Sequence, residues 1–251
     1  MKQIFLLLAA LSLMAGEVHA QPIDYKALNQ LTEKFIMTVQ VGKPGTPDFR
    51  FVYVNARGRL FVYRVEKGSF VQEWQTTDLG SRAASMFVTD IDADGTLDLV
   101  VGTIGGRILD YAMGSYDLIW ENLQDRFKKI EYIAHANIDD DPQEEMIILA
   151  DDLMYIYDGR NKTIEWVSDT QFHADMVILG NVDDDPQLEI ILNTGRVVDS
   201  RFHNIEFEAD GKFGDRIHLF DINGDGYPDV FGEFNDFSIR VYDVWAQREL
   251  W

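Results

Sequence analysis

Apolar positions along this chain fall into short runs of alternating or fully apolar character, separated by turn signals, and the runs repeat. Phe35 to Val41 is rich in β-branched and aromatic residues, Lys43-Pro44-Gly45 is a turn signal, and Phe49 to Val54 is a second apolar run. Gly58-Arg59-Leu60-Phe61-Val62-Tyr63 is matched later by Gly106-Arg107-Ile108-Leu109-Asp110-Tyr111. Every unit then carries an aromatic at the end of its third run (Tyr63, Tyr111, Tyr157, Phe202, Tyr242) and another at the end of its fourth (Trp74, Trp120, Trp166, Phe207, Trp251). The unit is strand, loop, strand, turn, strand, turn, strand. Five copies span residues 35–74, 75–120, 121–166, 167–207 and 208–251. A supersecondary unit that cannot bury both its faces stacks on its neighbours. Four-stranded sheets repeated about an axis make an all-β fold, the β-propeller, here with five blades. The aromatics recur at one register, which points to packing between blades rather than to ligand stacking. Trp251 is expected to lock the last strand in place.

Four of the five units carry an acidic loop between their first two strands. Asp90, Asp92, Asp94 and Asp98 stand at positions 1, 3, 5 and 9, a spacing that turns carboxylates toward one hard cation. Asn137, Asp139, Asp141 and Glu145 repeat it, as do Asn181, Asp183, Asp185 and Glu189, and Asp221, Asn223, Asp225 and Asp229. The first positions lie 47, 44 and 40 residues apart. In the first unit Arg50 takes the place of Asp98, so that copy has lost its ligands. Position 6 is Gly95 or Gly226 in two loops but Pro142 or Pro186 in the middle two. Proline fixes φ near −65° while glycine is free to be positive, so the middle loops either do not need positive φ or close differently. A metal-free turn held by Asx hydrogen bonds is the competing account of all four.

With these loops the chain resembles the FG-GAP or VCBS repeat family, the calcium-binding propeller repeats also found in integrin α-subunits. The likeness covers residues 84–251 well and 35–74 weakly. It implies side-chain ligands at positions 1, 3, 5 and 9 of each loop and backbone carbonyls at position 7, namely Thr96, Gln143, Gln187 and Tyr227. Structural calcium, two to four ions per chain, is the cofactor expected.

The formal charge of −21 argues against nucleic acid and anionic membrane surfaces as partners. Thirteen of the sixteen side-chain positions in the four loops are Asp or Glu, so the acidity is concentrated where a cation would sit. At the N-terminus, Lys2, the apolar run Ile4 to Met14 and Val18-His19-Ala20 predict a signal peptide over 1–20, too short to span a bilayer. Residues 21–34 form a polar segment with Tyr25, Leu28 and Leu31 at helical spacing. The absence of cysteine excludes a disulfide framework. A periplasmic or extracellular monomer is expected, with no membrane insertion.

No nucleophile elbow, phosphate-binding glycine loop or metal-spaced histidine set is present. Glu131, Asp175 and Asp215 each stand six residues before a loop, at one mouth of the expected channel, which would suit paired-carboxylate glycoside chemistry. Solvated strand starts explain them as well. His135 shares a face with Val88, Leu179 and Leu219 and is expected to be a core histidine. The leading expectation is a non-enzymatic, calcium-stabilised module that binds a protein or glycan partner. The alternative is a small glycoside hydrolase or lyase.

Overall fold

The computed structural model describes residues 35–43 and 46–251. The expected signal peptide, segment 21–34 and Pro44-Gly45 of the first turn lie outside the described residues.

Five four-stranded antiparallel sheets follow one another along the chain. Blade 1 comprises β1 (Phe35–Val41), β2 (Arg50–Asn55), β3 (Leu60–Glu66) and β4 (Ser69–Gln75). Blade 2 comprises β5 (Ala83–Thr89), β6 (Asp98–Thr103), β7 (Ile108–Ala112) and β8 (Leu118–Glu121). Blade 3 has β9 (Ile130–Ala136), β10 (Glu145–Ala150), β11 (Leu153–Asp158) and β12 (Ile164–Val167). Blade 4 has β13 (Val177–Gly180), β14 (Glu189–Leu192), β15 (Arg196–Asp199) and β16 (Ile205–Glu208). Blade 5 has β17 (Arg216–Phe220), β18 (Asp229–Glu233), β19 (Ile239–Asp243) and β20 (Arg248–Glu249). The fold is an all-β propeller of five blades, with no helix among the described residues.

Strands β6, β10 and β14 are buried from end to end. Each lies between two neighbouring blades, which is why their sequences are apolar on both faces. Outer strands β8, β12 and β16 are largely exposed. Four apolar clusters join the blades: Val52, Val54 and Val62 meet Leu99 and Val101; Val100 and Ile108 meet Met146 and Ile148; Ile147 and Ile156 meet Ile190 and Leu192; Ile191 and Val197 meet Ile217 and Val230. No such cluster joins blade 5 to blade 1 among the described residues. Accordingly β18 leaves Phe231 half-buried and Glu233 exposed where its counterparts are fully covered.

The hairpin turns also carry packing. A Cβ on Gly106 (φ +84°) would stand 1.7 Å from the Phe127 carbonyl oxygen, and one on Gly58 (φ +72°) 1.9 Å from that of Ser81. These glycines let the β2–β3 and β6–β7 turns lie against the chain entering the next blade.

The aromatic register works as a seam in part. Trp74 meets Tyr111 of the next blade edge-on at 5.3 Å, and Phe207 meets Tyr242 at 5.2 Å. Two members depart. Phe202 lies beyond β15 and is 71% exposed, while Val198 fills the equivalent core place and His203 stacks on Trp166 at 4.6 Å. The error came from spacing: β15 is shorter than its counterparts, so the aromatic falls in the turn. Trp251 is 72% exposed, so its ring does not lock the last strand, and the residue joins β19 through backbone bonds with Val241.

Candidate metal centres and the central channel

All four acidic loops connect the innermost strand of a blade to the next, at one end of the sheet. Position 9 begins the second strand and is buried every time: Asp98, Glu145, Glu189 and Asp229 are at most 2% exposed. Each uses one oxygen to accept the backbone N–H of the residue after position 1: Ile91 at 3.2 Å, Ile138 at 2.8 Å, Val182 at 2.7 Å and Ile222 at 2.8 Å. Position 3 accepts from the N–H of position 5, at 3.1 Å in Asp92–Asp94, 2.8 Å in Asp139–Asp141, 3.0 Å in Asp183–Asp185 and 2.8 Å in Asn223–Asp225. Such Asx bonds shape the turn without a metal.

The two loop types then diverge at positions 1 and 6 together. Gly95 (φ +89°) donates its N–H to Asp90 at 2.9 Å, and Gly226 (φ +99°) to Asp221 at 3.1 Å. Pro142 and Pro186 have no N–H to give. There position 1 is asparagine, and the amides of Asn137 and Asn181 donate instead to the carbonyls of Asp141 and Asp185. The side-chain oxygen of the asparagine is left as the acceptor. Position 9 differs as well. Glutamate is one methylene longer than aspartate, and in Glu145 and Glu189 the second oxygen, Oε1, is buried and accepts no hydrogen bond.

Asp139, Asp141 and Glu145 bring carboxylate oxygens within 4.8 Å of one another, and so do Asp183, Asp185 and Glu189. Asp90, Asp92 and Asp94 do the same without Asp98. The carboxylates of Asp221, Asp225 and Asp229 form no such group. Thr96 and Tyr227 donate their N–H groups to position 5 at 2.7 and 2.9 Å, and Gln187 does so at 2.8 Å. Buried Gln143 turns its side-chain amide to Asp141 and, at 2.9 Å, to Asp158.

Burial dominates the electrostatics. It pushes Glu189 up to about 8, with Asp183, Asp185 and Glu206 adding repulsion, and Glu145 up to about 7, with Asp139, Asp141 and Glu165. Asp98 rises to about 7 through burial and then the nearby Asp110 and Asp92. Asp229 is raised by the same desolvation.

Sequence reasoning missed a second row of acids on the third strand. Asp158, Asp199 and Asp243 are buried; Asp158 and Asp199 pair directly across the ladder from Glu145 and Glu189, and Asp243 follows Tyr242, which pairs with Val230 next to Asp229. Glu165 and Glu206 are raised by burial and then by the nearby carboxylates, Asp158, Asp139 and Asp141 for the first and Asp199, Asp183 and Asp185 for the second. The Tyr-Asp steps at 157–158 and 242–243, and the acid before Trp166 and Phe207, were the readable signal. In blade 2 the residue opposite Asp98 is Ala112, and the buried acid of the third strand, Asp110, lies two residues earlier and meets a protein cation. Lys162 of blade 3 sits 2.8 Å away, with the two side chains 8% and 1% exposed. That ammonium also lowers the repulsion on Asp98. In blade 1 the loop has given way to an ion pair, Arg50 with Glu73.

The channel lies among the innermost strands. A cavity of about 410 Å³ is lined by Met37, Met86, Phe87, Tyr132, His135 and Leu179, among others. His135 is half-buried there, stacked on Phe87 at 4.2 Å with Nδ1 2.6 Å from Glu144. The three acids at the strand starts each have a local partner. Glu131 pairs with Lys129 at 2.8 Å, Asp175 accepts the Asn193 amide at 2.6 Å, and Asp215 pairs with Lys212, which holds it below the usual carboxylate range.

No family model matches the chain, and no curated relative matches it. Solved structures do. The chain is similar to the N-terminal part of BBS1, solved in complex with ARL6, at 11% identity and TM-score 0.59, covering 87% of this chain and 65% of that one. It is similar to Sqt1 of Saccharomyces cerevisiae at 13% identity and TM-score 0.57, covering 85% and 60%. The biofilm matrix protein Bap1 of V. cholerae matches at 16% identity and TM-score 0.55, covering 82% and 34%. The chain thus spans less than two thirds of each of these solved chains. At such identities the likeness establishes the propeller fold alone.

Proposed function

We propose that this chain is a non-catalytic binding or scaffold module whose blades are stapled by structural calcium. One observation carries the metal: Glu145 and Glu189 each hold a carboxylate oxygen that is buried, accepts no hydrogen bond, and stands among two further carboxylates. An uncompensated buried carboxylate costs several kcal/mol, and a divalent cation with an all-oxygen shell is the partner that offsets it. The asparagine oxygen at position 1 and the carbonyl at position 7 would complete such a shell. Two firm sites, in blades 3 and 4, and up to two more in blades 2 and 5 follow from this reading, in keeping with the resemblance to FG-GAP/VCBS repeats.

Loops of this kind in extracellular modules bind calcium at roughly 10⁻⁴ to 10⁻³ M, which suits an exported protein. At tenfold excess over Kd each filled site contributes about 1.4 kcal/mol. The binding partner, a protein or a glycan, would meet the loop surface or the channel mouth. BBS1 supplies a propeller solved with a protein partner, ARL6. Glycoside chemistry gains nothing from the geometry, since Asp215 is held low by Lys212 when a general acid needs to be held high.

Calorimetric titration of calcium into EDTA-stripped protein, with the melting temperature followed in parallel, tests the metal. At least two sites and a rise in melting temperature are expected. No heat and no shift would sink the calcium reading.

A further inference from the structure

The turn after the third strand carries one backbone device in blades 2 to 5. Four residues past the end of that strand stand Tyr116, Lys162, His203 and Gln247, with φ of +62°, +57°, +58° and +52°. Residues other than glycine seldom take this left-handed conformation. Here it brings each side chain onto the preceding blade. Tyr116 stacks on Trp74 of blade 1 at 5.0 Å, and His203 on Trp166 of blade 3 at 4.6 Å. Gln247 lines a cavity of about 110 Å³ with Val197 and Phe207 of blade 4. Lys162 reaches blade 2 in the same way, and there it meets a charge.

The place it meets is apolar in other blades. The third-strand residue that pairs with the fourth-strand aromatic is Val62 in blade 1, Ile156 in blade 3 and Val197 in blade 4, all in the core between blades. In blade 2 it is Asp110, paired with Trp120. Asp110 is 1% exposed. Its carboxylate faces the Lys162 ammonium at 2.8 Å, and among the described residues no other hydrogen bond reaches either group. An acid at this seam position and a lysine at the facing turn position stand together, since either alone would be a buried charge without compensation.

The pair lies beside the acidic loop. Asp98 begins β6 opposite Ala112, two residues from Asp110, and the ammonium acts on it against the charges of Asp110 and Asp92. Glu145 and Glu189 join the carboxylate groups of their loops and keep a buried oxygen without a hydrogen bond. Asp98, with the ammonium nearby, does neither. Building on the calcium reading of the proline loops, we propose that Lys162 is the resident cation of blade 2. Its ammonium crosses the seam from blade 3, takes the place that calcium fills in blades 3 and 4, and keeps calcium out of the blade 2 loop.

Calcium titration of EDTA-stripped full-length protein counts the sites. Wild type should fill at most three of the four loops, with none in blade 2. Lys162→Gln places there the neutral amide that Gln247 supplies in blade 5, and should bind one equivalent more than wild type. Adding Asp92→Asn should remove that extra equivalent, and Lys162→Arg, which keeps the charge, should hold the wild-type number. Folded Lys162→Gln protein with the wild-type number overturns the proposal, as does a wild type that fills all four loops. Should Lys162→Gln not fold, the amide resonances of wild type decide. Saturating calcium should move those of Asp141 and Asp185 and leave those of Asp94 and Gly95 at their positions in EDTA; equal movement in all these loops overturns the proposal. A wild type with no calcium site defeats the calcium reading and this proposal with it, whereas failure in the variants alone defeats only this one.

Discussion

The glycine loops of blades 2 and 5 and the proline loops of blades 3 and 4 share a spacing and solve it in opposite ways. Where glycine stands, its N–H donates to an aspartate at position 1, whose carboxylate is partly satisfied by the backbone. Where proline stands, that donor is gone, position 1 is asparagine, and the unsatisfied charge is moved to a buried glutamate at position 9. The loops that carry proline in place of glycine are therefore the ones with the strongest unmet demand for a cation. Substitution at one loop position is read correctly only with the others in view.

Replacing Glu145 and Glu189 together by glutamine gives the largest expected effect, and its sign depends on calcium. In EDTA the double variant should be more stable, by about 1–2 kcal/mol per site, because a buried acceptor without a donor is removed. In saturating calcium it should be less stable and lose at least two binding sites. Asp98→Asn and Asp229→Asn should change both quantities less, as measured by thermal melts with and without calcium.

Acidity separates the same states. Glu145 and Glu189 titrate at about 7 and about 8 in the fold, against about 4.3 in an unfolded chain. Between those values the folded state binds more protons, so stability without calcium falls as pH rises from about 4.5 to 8. A stripped sample should melt higher at pH 5.5 than at pH 8, and saturating calcium should flatten or reverse the difference. A stripped sample that melts higher at pH 8 would contradict the burial of these carboxylates as ionised groups.

Backbone substitutions bring smaller effects. Gly95→Ala or Gly226→Ala meets no atom within 4 Å but forces alanine to a φ of +89° or +99°, for a loss of about 1–2 kcal/mol in a denaturant titration. Pro142→Gly or Pro186→Gly should cost only about 0.4–1 kcal/mol, through the entropy of the unfolded chain. A larger loss there would show that proline shapes the site itself.

The sequence by itself determined the blade, because a unit that must bury both faces against copies of itself repeats its strands, loops and aromatics at a constant register. Arg50 in the place of Asp98 was legible for the same reason, and β2 begins at Arg50 as β6 begins at Asp98. Only the tertiary structure decided what is not repeated. Lys162 reaches Asp110 from the next blade, and Asp158 and Asp199 lie opposite position 9 through strand pairing, so no local spacing announces them. Phe202 and Trp251 satisfied the aromatic pattern yet stand in solvent, the first because β15 is short. Repetition records what each blade needs from an identical neighbour. A last blade, or a charge shared between unlike blades, depends on contacts that form only when the whole chain has folded.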